Sequence, residues 1–108
     1  SEPFRISRSA LANAKKKIRV DRSIGSIPDS KIIYTYLKDK IQLPSDNLDP
    51  IALKKIMKNR IDQALIEKVV AHLKICDSSH YGGQKENDQA FIHKKTIEIL
   101  ENLDKQIK

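Results

Sequence analysis

Residues 62–76 read DQALIEKVVAHLKIC, and this stretch decides the fold. Asp62 carries a side chain suited to capping a helix N-terminus. Ile66, Val69, Val70, Leu73 and Cys76 then follow at steps of three, one, three and three residues. That spacing places five apolar side chains on one helical face; in a strand, with its period of two, they would split between opposite faces. It predicts a helix from Gln63 to about Ser79.

The same period extends in both directions. Upstream, Asp49 is a second capping residue, and Pro50 suits the first helical position, where its missing N–H costs nothing. Leu53, Ile56 and Met57 form the buried face of this short helix, which breaks at Asn59 or Arg60. Earlier still, Ile32, Ile33, Tyr36, Leu37 and Lys40/Ile41 form one stripe on a helix from about Pro28 to Gln42, ended by Pro44 and a polar loop through Asn47. Downstream, Gly82-Gly83 opens a polar loop. The last helix starts near Asn87 or Asp88 and runs to about Gln106, with Ile92, Thr96, Ile99, Leu100, Leu103 and Ile107 on its stripe. At the other end, Phe4, Leu11, Ala14 and Ile18 suggest a helix from Pro3 to Arg19. Its stripe is thin, and the segment from Val20 to Pro28, with Ser23, Gly25 and Ser26, would let it swing away. No segment sustains a strand period, and there is neither an internal repeat nor a long heptad pattern. The expected fold is all-α: a compact bundle of about five amphipathic helices with short loops. It divides into a basic helix, 1–22, and a helical bundle domain, 28–108.

With 108 residues, 39% hydrophobic and 32% charged, the chain is one polar globular domain with a small core. It lacks tryptophan and aromatics make up 5%, so the core is aliphatic. One cysteine excludes an internal disulfide. No run of about 18 apolar residues occurs, and the basic N-terminal stretch lacks the apolar centre of a signal peptide. A start at serine reads as a fragment of a longer protein.

Charge is lopsided. Arg5, Arg8, Lys15, Lys16, Lys17, Arg19 and Arg22 stand against Glu2 and Asp21 in the first 22 residues, giving +5 of the chain's net +7. Such a head points to an anionic neighbour, either phospholipid or nucleic acid. The bland alternative is a solvated helix end, where cations suit the negative pole.

No constellation for catalysis emerges. His72, Cys76 and His80 lie four apart, each about 40° further round the helix. Zinc needs three or four convergent ligands, and His93 is the remaining histidine. The simpler reading makes Cys76 a core residue with the histidines flanking it at the surface, so no metal or cofactor is assigned. A nucleophilic role for Cys76 is disfavoured by its apolar stripe and by Asp77, whose charge would raise the thiol pKa. Tyr36 falls on a stripe and reads as a core tyrosine with its hydroxyl at the edge; Tyr34 falls off it and reads as exposed. Neither these nor Tyr81 builds a base-stacking platform. No G-x-G-x-x-G, P-loop, H-E-x-x-H or G-x-S-x-G motif is present. The expectation is a non-enzyme.

Four blocks share a pattern with a known family: YTYLKDKIQLP from Tyr34, LDPIALKKIMKNRIDQALIEKVVAHLKICD from Leu48, SSHYGG from Ser78 and KKTIEILENLDKQIK from Lys94. Together they resemble the cytoplasmic C-terminal tail of BatD-type oxygen-tolerance (aerotolerance) proteins. Tyr36, Leu37 and Pro44 match its tyrosine–leucine helix ending in proline, Tyr81 matches a turn, and RSALANAKKKI from Arg8 echoes its basic juxtamembrane helix. The departure is at the turn, where His80 stands in place of arginine and Gly82-Gly83 in place of alanine-proline. The resemblance implies a bacterial single-span membrane protein whose tail faces the cytoplasm at the inner membrane. It also implies MoxR-type ATPases and von Willebrand factor A-domain membrane proteins as partners, and a role as scaffold rather than catalyst. Excess lysine and arginine on the cytoplasmic flank of a span fits independently. The expected sites are the basic head for lipid proximity and the loop at His80, Tyr81, Gly82 and Gly83 for partner contact. The alternative is a basic helical nucleic-acid-binding module.

Overall fold

The computed structural model describes residues 2–20, 27–43, 48–81 and 86–107, with side chains for 5–19, 27–43, 48–78 and 89–107. Five helices follow in order: α1 (Glu2–Val20), α2 (Asp29–Ile41), α3 (Pro50–Met57), α4 (Gln63–Tyr81) and α5 (Glu86–Gln106). There is no strand among the described residues, and the fold is an all-α bundle. Its radius of gyration of 13.4 Å is close to the roughly 13 Å of a closed domain this long.

The capping residues act where the sequence places them. An Asp49 carboxylate oxygen accepts the Ala52 N–H at 2.8 Å, just before Pro50 opens α3. At α4, Asp62 Oδ1 accepts the Leu65 N–H at 2.7 Å. The same aspartate clasps the end of α5: Gln106 Nε2 donates to Asp62 Oδ2, and the Asp62 N–H donates to Gln106 Oε1, both at 2.9 Å. The start of α4 therefore meets the end of α5, and the two run antiparallel. Helix α2 has Pro28 at its N-cap and no side-chain cap, but Asp29 places a carboxylate in its first turn, at the positive pole of the helix dipole. It stops at Gln42, which adopts the left-handed conformation with φ 55°.

Helix α2 is the hub and packs on α1, α4 and α5, while α3 packs on α4. The core is aliphatic, with Ile33, Val69, Leu73, Leu100 and Leu103 sealed from solvent. Tyr36 is buried with its hydroxyl donating to Asp104 Oδ1 at 2.7 Å, and Lys40 Nζ approaches the same oxygen at 3.3 Å. Burial, reinforced by Asp104, drives the phenol pKa upward. Tyr34 departs from its expected exposure: it is half-buried against the core, and its pKa is pushed up to about 12, first by burial and then by Asp77 and Asp49.

The thin stripe of α1 has a physical reason. Ala10, Ala14 and Ile18 are its buried residues, and two alanines one turn apart let the backbones of α1 and α2 come close. Ser7 Oγ donates to the Lys40 carbonyl at 2.8 Å, filling one of the acceptors that the end of α2 leaves without a helical partner. Leu11 is half-buried, and Phe4 lies outside the described side chains. Helix α4 runs past its predicted end at Ser79 to Tyr81. His80 and Tyr81, expected in a loop, are therefore its last two residues. Gly82, Gly83, Arg22 and Pro44 lie outside the described residues.

Candidate functional site

Three features stand out: a cationic strip on α1, a groove between α4 and α5, and a buried polar network on the core side of that groove. At 100° per residue, Arg5, Arg8, Lys16 and Arg19 fall within about 80° of one another, opposite Ala10, Ala14 and Ile18. All four are exposed. From Arg5 to Arg19 the strip is about 21 Å long, at 1.5 Å per residue. Lys15, counted with this patch from sequence, leans aside to Glu101 of α5 at 3.4 Å. Lys17 is exposed on the other flank of α1. Burial of the alanine face thus sorts the described basic residues, leaving four in a line.

The groove has a volume of about 280 Å³. Ala71 and Ile75 of α4 and Phe91, Ile92 and Ile99 of α5 make its walls apolar, and Lys68 and Lys95 stand on opposite walls. Ile75 is 53% and Phe91 67% exposed. The groove opens away from α2. Asp77 and His93 bond to α2 residues, and Ile75, Phe91 and Lys95 lie roughly half a turn round their helices from these contacts.

His72 reaches both the groove and the network. It is 4% exposed, a correction to the surface position expected for it. The position is explained by its register, three residues after Val69 and four before Cys76, on the edge of the core stripe. Thr96, wholly buried, sits at the centre of the network. Its hydroxyl lies 2.7 Å from Asp29 Oδ2 and 2.9 Å from the Ile92 carbonyl. Both can accept its single proton, so the His72 ring N–H, at Nε2 and 2.7 Å away, is the donor to Thr96. His93 Nδ1 meets the same Asp29 oxygen at 2.8 Å. The His72 pKa is lowered, mainly by burial and further by Lys95, with Asp29 opposing. The ring is thus held neutral as a donor. Nearby, Ser30 Oγ donates to Asp77 Oδ1 at 2.6 Å.

Cys76 is buried, and its thiol is pushed up to about 12. Burial is the largest cause, followed by Asp29; Asp77, the neighbour singled out from sequence, contributes less, and a hydrogen bond with Thr96 works in the opposite direction. Such a thiol is a weak nucleophile. Among the described residues, no three His, Cys, Asp or Glu side chains converge as metal ligands, and no helix is long and apolar enough to cross a membrane.

Sequence reasoning located the α1 cations but missed the groove and the network. One signal for the network was present: a threonine in an otherwise aliphatic stripe must find partners for its hydroxyl. Compared with family models, with curated proteins and with solved structures, the chain matches none.

Proposed function

We propose that this chain is a non-catalytic cytoplasmic protein-interaction domain of a bacterial single-span membrane protein linked to oxygen or stress tolerance. Its α1 rests against the anionic inner leaflet. Its partners, on the BatD-type resemblance, are MoxR-type ATPases and von Willebrand factor A-domain membrane proteins. The observation that carries this reading is the straight strip of Arg5, Arg8, Lys16 and Arg19, turned away from the bundle by the burial of Ala10 and Ala14. A line of cations on the outer side of a packed helix can lie flat on a charged plane without disturbing the core. Each contributes on the order of 1 kcal/mol near an anionic surface, so four give about 4 kcal/mol, roughly a thousandfold in partitioning.

Vesicle flotation tests the membrane arm. The 108-residue chain should float with vesicles containing phosphatidylglycerol at low salt and be released near or above physiological salt. It should not float with pure phosphatidylcholine, and the Lys16→Glu/Arg19→Glu double variant should lose most of the binding. Equal association with neutral and anionic vesicles refutes it. The same strip is complementary to nucleic-acid phosphates, which is the second reading. In that case duplex DNA is retarded in a gel at about 50 mM salt with a steep salt slope; absence of retardation eliminates it.

A further inference from the structure

We infer that the groove between α4 and α5 seats an acidic amphipathic helix of a partner protein. The inference rests on the reading of this chain as a protein-interaction domain and names the chemistry of the partner.

The shape of the groove comes first. Its lining on α5 runs from Phe91 to Asn102, eleven residues apart, or about 16 Å at 1.5 Å per residue. Three turns of a docked helix cover that length, which is the span needed to bring anchors at i, i+4 and i+7 onto one bed. The half-exposed Ile75 and Phe91 flank the bed on opposite helices, where they would clasp such a helix from both sides. Ala71 keeps the α4 wall low. The apolar strip is therefore elongated, matching a helix face better than a compact small molecule.

Charge then selects the occupant. Lys68 rises from the α4 wall and Lys95 from the α5 wall, so a helix lying between them passes a cation on each flank. Among the described residues, Glu98 is the one acidic residue in the lining. It approaches Lys95 at 3.9 Å with both side chains about half exposed, a geometry worth little in water and readily exchanged for a carboxylate on a ligand. Lys95 lines the same groove as His72. An acidic helix gains from both lysines, while a basic one is repelled by them. A second copy of this chain would bring its own Lys68 and Lys95 against the same pair.

The position of the groove makes double occupancy feasible. On α5 it lies on one side, and Glu101, which holds Lys15 of α1, lies on another. A partner helix in the groove leaves the cationic strip of α1 uncovered.

The test uses the whole chain, labelled with nitrogen-15, and two designed peptides of about 18 residues, long enough to be helical in water. Both carry leucines at i, i+4 and i+7 on an alanine background; one has glutamates on its flanks and the other lysines. The acidic peptide should move amide resonances of residues 68–75 and 91–102 and bind at least tenfold more tightly than the basic one. Phe91→Ser, at an exposed position, should weaken it about tenfold with an unchanged far-ultraviolet spectrum. Lys68→Glu/Lys95→Glu should reverse the preference between the peptides. Equal binding of the two peptides, shifts confined to α1, or no binding overturns the inference. So does a concentration-dependent dimer that shifts the same residues, which assigns the groove to a second copy. Flotation of Phe91→Ser alongside separates the two arguments. If the peptide fails and flotation persists, the groove inference falls and the membrane reading stands; the opposite pattern does the reverse.

Discussion

Thr96→Val isolates the polar network from the packing around it. Valine matches threonine in shape, so no cavity forms, but the hydroxyl's contacts disappear: the bond from His72 at 2.7 Å, the single proton shared between Asp29 at 2.7 Å and the Ile92 carbonyl at 2.9 Å, and the contact with Cys76. The Ile92 carbonyl keeps its helical partner and Asp29 keeps His93, so the main cost falls on two groups. The His72 N–H is left buried without an acceptor, which costs about 1–3 kcal/mol, and the carboxylate loses a charged hydrogen bond of about 1.5–3 kcal/mol. The expected loss is about 2.5–6 kcal/mol. Thr96→Ser is the control. It keeps the hydroxyl and removes one buried methyl, worth about 1 kcal/mol. Urea unfolding followed by circular dichroism should therefore rank wild type above Ser above Val, with unchanged m-values. In melting temperature the Val variant should fall by at least about 10 °C, at about 4 °C per kcal/mol for a domain this size. If Val is as stable as wild type and Ser is the worse variant, Thr96 matters for its methyl alone and the network argument is wrong.

Two further outcomes are expected. His72 has a folded pKa below its ordinary value of 6.5, so the unfolded chain takes up the proton first. Its contribution to stability is complete above about pH 6.5 and is lost as pH falls below that, with a slope of at most about 1.4 kcal/mol per pH unit. Urea midpoints between about pH 5.5 and 7.5 should show this slope in the wild type and a flatter profile in His72→Gln, whose amide still donates to Thr96 but does not titrate; identical pH profiles would refute the assignment. At the end of α2, Gln42→Gly should raise stability by about 0.5–1 kcal/mol, because glycine has no Cβ to oppose φ 55°. A lower melting temperature for that variant would mean that the Gln42 side-chain bond to the Asp39 carbonyl, at 2.6 Å, outweighs the backbone gain.

The elements differ in how far the chain alone discloses them, and the reasons are physical. Helices α3 and α4 were legible because Asp49, Pro50 and Asp62 are capping chemistry and because isoleucine, leucine and valine recur with a helical period. Helix α1 was legible as a helix but not as a close-packed one. Alanine favours helix whether buried or exposed, so Ala10 and Ala14 carry no signal of depth. His72 was misplaced because its polar identity outweighed its register beside Val69 and Cys76. The groove depends on how two helices lean together, and neither Ile75 nor Phe91 shows in its own helix that the other stands across from it. The cationic strip was readable as a cluster, but its alignment depended on knowing which face of α1 is buried and that Lys15 turns to Glu101.

The polar contacts of α2 reach far along the chain. Asp29 waits for Thr96, 67 positions later, and Tyr36 for Asp104, 68 positions later. During synthesis α1 and α2 can pair as a hairpin, yet the described partners of the carboxylate and the phenol at its interior edge all come from α5, which is made later. A chain that lacks α5 would therefore leave the Asp29 carboxylate and the Tyr36 phenol facing water, so the hairpin of α1 and α2 is completed only when α5 packs on it.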